Sequence, residues 1–173
     1  MFNQIVEAMT MQLLEQYMLE ADRAFAQEDY VKGKSLIEEA LALEPDYGEA
    51  HNYLGWLYLY QLNNPDRTEE HLKLAIRYKP NCRGAYVHLS AMFTDQGRFE
   101  ELQSLMPKAL EVRGINRVSL LVDWGRMYEL MGKYRQAVHT YKEAMKASLS
   151  NSEMDGLRDH IRRSRRKRWV RWI

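Results

Sequence analysis

Small residues recur along this chain at a fixed interval. Ala21, Gly55, Ser90 and Gly125 stand 34 or 35 residues apart, and so do Ala40, Ala75, Ala109 and Ala144. A period of that length implies similar structural units stacked in line, each burying a face on its neighbour. Larger residues recur one helical turn from the small ones: Tyr58, Phe93 and Tyr128 in the first series, Ile37, Leu72 and Tyr141 in the second. A small residue lets two helix backbones approach, and the large residue beside it fills the remaining space. Pro45 and Pro80 fall just where a second helix should stop. Glu28-Asp29, Asn63-Asn64-Pro65-Asp66, Asp95-Gln96-Gly97 and Gly132 supply turn chemistry between the helices. The pattern predicts helix-turn-helix units over 14–47, 48–82, 83–117 and 118–151.

These residues resemble the tetratricopeptide repeat (TPR) signature, in which small, aromatic and proline positions recur at a period of about 34 residues. The segments Leu54-Gly55…Tyr58…Ala75…Pro80 and Trp124-Gly125…Tyr128…Ala137…Tyr141 carry the likeness most fully. The resemblance implies an all-α fold: a right-handed superhelical solenoid of four repeats with an N-terminal helical extension over 1–13 and a capping C-terminal helix over 152–173. Two departures stand out. Gly114 stands where the third repeat should end in proline, and Pro107 falls inside its second helix. A proline there removes an N–H and crowds the preceding turn, so a kink is expected.

Function is bounded by what else the chain carries. A single cysteine, Cys82, excludes an intramolecular disulfide framework and fits a reducing compartment. The first residues lack a basic start and are interrupted by Glu7, so no secretory signal is read there and a cytoplasmic location is expected. Phe2, Ile5, Val6, Met9 and Leu13 are spaced for one helical face, which would cap the open end of the stack or meet a second copy. The five histidines show no zinc spacing, and neither a phosphate loop nor a nucleophile elbow is present. No catalytic residue, cofactor or metal is expected.

In the resembled family the first helices line a concave groove that holds another protein. Carried onto this chain, the groove positions worth singling out are Met18, Asp22, Glu49, Asn52, Tyr53, Trp56, Tyr60, His88, Asp95, Asp123 and Arg126. The lining is aromatic in the middle, where Tyr and Trp make effective binding anchors. Its acids favour a partner carrying Lys or Arg. Chaperone-binding relatives clamp a carboxylate with cations, but the matching places hold Met18, Asp22, Tyr53, Gly84 and His88, so that mode is not expected here.

The charge is split along the chain. Residues 1–151 carry 17 basic and 21 acidic side chains, whereas residues 152–173 carry 8 basic and 3 acidic. Met154, Leu157 and Ile161 share a face that should cover the last repeat. Beyond it Arg162, Arg163, Arg165, Arg166, Lys167, Arg168, Trp169, Arg171 and Trp172 leave three readings open: a solvated helix end, a contact for an anionic lipid or nucleic-acid surface, or a protein contact that includes the acidic groove of another copy. No nucleic-acid fold accompanies them. The expected function is a scaffold that captures a peptide or helix in its groove. The alternatives are a small chaperone for secreted substrates, or an assembly factor that works at a membrane or nucleic acid through the basic tail.

Overall fold

The computed structural model describes residues 2–170, which form helices and no strand among the described residues. In chain order these are α1 (Phe2–Ala26), α2 (Tyr30–Leu43), α3 (Gly48–Tyr60), α4 (Pro65–Tyr78), α5 (Arg83–Asp95), α6 (Phe99–Glu111), α7 (Arg117–Leu130), α8 (Tyr134–Ala147) and α9 (Asn151–Val170). The chain is an all-α repeat solenoid. It divides into two compact units, Met1–His88 and Leu89–Ile173. The side chains of Phe2, Ile5 and Val6, together with Arg171 and Trp172, lie outside the described residues.

In the first unit α1 pairs with α2 and α3 with α4, and α2 packs on α3. Local chemistry starts the second helices. The Asp29 carboxylate accepts from the Lys32 N–H at 3.0 Å, and the Asn64 amide oxygen accepts from the Arg67 N–H at 3.1 Å ahead of Pro65. Such caps satisfy backbone donors that have no partner inside the helix. Leu14, Ala21, Ile37, Ala40, Ala50, Leu54 and Leu57 form one buried cluster. The recurring Gly55 does the work expected of it, since a Cβ there would overlap Leu72; Gly33, outside that series, likewise makes room for the Phe25 ring. The segment 1–13 and the first repeat helix are one continuous run, because α1 extends for 25 residues against the 14 of α2.

In the second unit α7 pairs with α8, and α9 lies against α8. Gly125 repeats the logic of Gly55, since a Cβ there would overlap the fully buried Tyr141 ring. The turn glycines Gly97, Gly114 and Gly132 adopt positive φ values of 69°, 74° and 71°, a conformation that a Cβ disfavours. Helix α6 passes through Pro107 without ending. Its core side chains Leu102, Met106 and Ala109 are buried, while Pro107 faces outward, where a missing N–H bond is best tolerated.

Candidate protein-binding surfaces

In the first unit a chain of rings runs from α1 across α3 to α5. Phe25 lies 5.9 Å from Tyr53 and 5.5 Å from Trp56, measured between ring centres. Trp56 lies 6.3 Å from Tyr60, which meets His88 edge-on at 5.5 Å. Tyr30, at the start of α2, closes the back of the group at 6.4 Å from both Phe25 and Trp56. The helical spacing of Tyr53, Trp56 and Tyr60 puts them on one side of α3. Phe25 fits among them because Gly33 has no side chain. Phe25, Tyr53, Trp56 and His88 are half-buried, and Tyr60 is 52% exposed.

Polar groups border the rings. The Tyr53 hydroxyl donates to the Asp22 carboxylate. Burial, and then Asp22 itself, push the Tyr53 phenol well above its usual range. Burial pushes the His88 imidazole down to about 4, so the ring is neutral at physiological pH. Asn52 turns its amide towards Gly84, and its Oδ1 is buried without a hydrogen bond.

Two expected groove residues of this unit are otherwise engaged. Met18 is buried in the core, because it continues the inward stripe of Leu14 and Ala21 at i, i+4, i+7. It is not available to a ligand, which corrects the sequence reading. Glu49 forms an ion pair with Lys79, so its charge is met within the α3–α4 hairpin. On that hairpin His51 and His71 are also tied together. Their Nδ1 atoms are 3.0 Å apart, His51 Nε2 lies 3.0 Å from the Pro45 carbonyl, and the rings stack with Tyr58 and Tyr78.

The equivalent positions of the second unit are charged. Arg126 donates to Asp95 at 2.9 Å and approaches Asp123 at 3.8 Å. Asp123 is buried and accepts from the Ser90 hydroxyl at 2.8 Å. Burial pushes its carboxyl up to about 6, against the opposing effects of Ser90 and Arg126. Its burial removes Asp123 from the exposed acids expected of a groove edge.

Helix α9 is bound to α7 and α8 by a network that sequence reasoning missed. Arg163 donates through Nε and Nη2 to the two Glu129 oxygens at 2.7 and 2.8 Å. Lys167 reaches the same carboxylate at 3.0 Å, and the Tyr141 hydroxyl donates to it at 3.2 Å. Although burial alone would raise it, these hydrogen bonds hold the Glu129 carboxyl at about 2. The His160 ring stacks on Tyr141 at 4.9 Å. Leu157, Ile161 and Ser164 form the buried stripe of α9. Two of the tail cations are therefore structural, while Arg165, Arg166, Arg168 and Trp169 are exposed.

A second feature missed from the sequence is a cleft of about 440 Å³ between α7 and α8, floored by Leu121, Trp124 and Tyr128 and edged by Arg135, His139 and Glu143. Trp124 and Tyr128 stack on each other at 6.3 Å. Among the described residues no group of His, Cys, Asp and Glu is arranged to hold a metal ion, and no helix is long and apolar enough to cross a membrane.

The comparisons with known proteins bear on the fold. Residues 18–67 and 119–151 match family models that are both described as tetratricopeptide repeat. No curated protein matches the sequence significantly. Among solved structures, one from a functional characterisation of Pseudomonas aeruginosa pilF is 16% identical, with a TM-score of 0.74 over 93% of this chain and 77% of that one. PilW, described as a widely conserved type IV pilus biogenesis factor, is 18% identical, with a TM-score of 0.70 over 92% and 78%. YrrB, described as a TPR protein with an unusual peptide-binding site, is 17% identical, with a TM-score of 0.68 over 83% and 73%.

Proposed function

We propose that this chain, whose residues 18–67 and 119–151 match tetratricopeptide-repeat models, is a protein-interaction scaffold whose first unit captures a basic peptide or helix on the surface built by Phe25, Tyr53, Trp56, Tyr60 and His88. The observation that carries this reading is the unbroken run of partly exposed rings ending in Tyr60, with the Asp22 carboxylate beside it. Partly exposed aromatic faces attract guanidinium and ammonium groups, and they bury much area with few side-chain torsions to freeze. An exposed acid next to them selects for a cation on the partner. Neutral His88 adds no charge that would repel such a partner. Capture involves no bond making. A flexible segment must be ordered on binding, so affinity should be modest, roughly micromolar.

A peptide array probed with the wild-type chain and with Trp56→Ala tests the reading. Enrichment of Lys- and Arg-containing sequences that bind the wild type and not the variant supports it. Hits that the variant retains, or enrichment of acidic sequences, would remove this surface from contention.

A further inference from the structure

We propose that the outward face of α9 docks the protein reversibly on an anionic lipid surface, through Arg165, Arg166 and Trp169. The proposal is independent of the capture surface in the first unit. It starts from how α9 is held. The inner stripe of Leu157, Ile161 and Ser164 is buried, and the two hydrogen bonds that Arg163 donates to Glu129, joined by Lys167, fix the roll of the helix. With that roll set, Arg162, Arg165, Arg166 and Trp169 follow one another at i, i+3, i+4 and i+7 on the opposite side. Earlier turns on this side are neutralised: Arg158 pairs with Asp155 and Arg162 with Asp159. No acid follows Asp159 in the sequence. The basic character is therefore concentrated in the last turns of α9, where Trp169 is 72% exposed.

That combination fits a lipid interface better than the alternatives. A solvated helix end gains nothing from an exposed indole. A phosphate backbone would use the guanidinium groups but does not require the ring to lie among them. At a bilayer the two work together: arginines pair with headgroup phosphates while the indole rests at headgroup depth. Residues 1–151 carry more acids than bases, so the attraction to an anionic surface is concentrated at this end of the sequence. Attachment through one short patch is weak and salt-dependent.

The test uses the full-length chain and co-sedimentation with vesicles of phosphatidylcholine alone or mixed with phosphatidylserine. Pelleting is expected only with the mixed vesicles and should fall steeply as salt is added. Each basic group near such a surface contributes enough for about a fivefold change in partition, so Arg165→Gln/Arg166→Gln should weaken binding roughly 25-fold. Trp169→Ala should weaken it several-fold and leave the slope of the salt dependence unchanged. Neither variant touches the Glu129 network, and an unchanged melting curve verifies that. The wild-type salt titration tests the proposal without any variant. Absence of pelleting with the mixed vesicles, equal pelleting of the double variant, or tighter binding to duplex DNA or single-stranded RNA at the same ionic strength would overturn it.

Discussion

Corresponding positions of the two units are filled by opposite chemistry. Counted from the small residue of each first helix, Tyr53 in the first unit corresponds to Asp123 in the second, Trp56 to Arg126 and Phe25 to Glu129. In the first unit these places make ring contacts. In the second they make a buried acid, an ion pair and the anchor for α9. The supporting contact beneath is nearly the same in both, a large side chain over a glycine: Leu72 over Gly55, Tyr141 over Gly125. The difference shows which part of a repeat is scaffold and which is free to vary. Close helix approach needs the small and large pair. The adjoining face tolerates either rings or charges, and its content decides whether the surface responds to pH and salt.

The largest effect should come from the scaffold pair. Leu72 is fully buried, and Leu72→Ala leaves a cavity over Gly55. The expected loss is about 2–5 kcal/mol in denaturant unfolding. Because no charge is involved, the loss should be the same at low and high salt. A salt-dependent loss would break the division between scaffold and decoration.

Glu129→Gln comes next. It removes the charge from hydrogen bonds that two cations and a phenol make, at about 2 kcal/mol. The pH dependence follows from a carboxyl held at about 2. A carboxylate depressed in the folded state stabilises fully above its unfolded pKa, near 4.3, and the stability drains away as pH falls from there towards 2. Wild type and variant should therefore differ at pH 7 and converge near pH 2. A difference that persists at low pH would mean that shape, not charge, holds α9. Asp123 should behave with the opposite sign. Its carboxyl is raised to about 6, so its contribution is fully present below about pH 4 and is lost as pH rises through 6. Asp123→Asn, which keeps an acceptor for Ser90, should be more stable than wild type at pH 8, on the order of 1 kcal/mol, and equal to it near pH 3.

Much of the fold could be read from the sequence because the repeat carries its own physics. Gly55 with Leu72 and Gly125 with Tyr141 are close approaches that require small and large residues at a set spacing, and Asp29 and Asn64 mark helix starts by chemistry local to the chain. The candidate site was read less well. Tyr53, Trp56 and Tyr60 share a helix face, so their grouping followed from spacing, but Phe25 joins them only through Gly33, a contact between two helices. Met18 fits a groove position by repeat count and the core stripe by helical phase, and the core stripe wins. The Glu129 network eluded the reading for the same reason. It joins residues 34 positions apart, and a run of basic side chains looks solvated until the buried acid that captures Arg163 and Lys167 is found.

The smallest stability effect is the most informative about binding. Tyr60 is more than half exposed, so Tyr60→Ala should change unfolding free energy by no more than about 0.5 kcal/mol. The same change removes the outermost ring from the run and should weaken capture of a basic peptide about tenfold or more, since aromatic anchors dominate such surfaces. Isothermal titration with a Lys/Arg-rich peptide taken from the array would measure it. The pH profile separates this surface from the charged one of the second unit. His88 stays neutral until pH falls towards about 4, so capture should hold constant from pH 8 down to about 5. It should then decline as the imidazole gains a proton beside Tyr60 and repels the cationic partner. A midpoint near 6 would instead place the capture on the second unit, where the Asp123 carboxyl titrates.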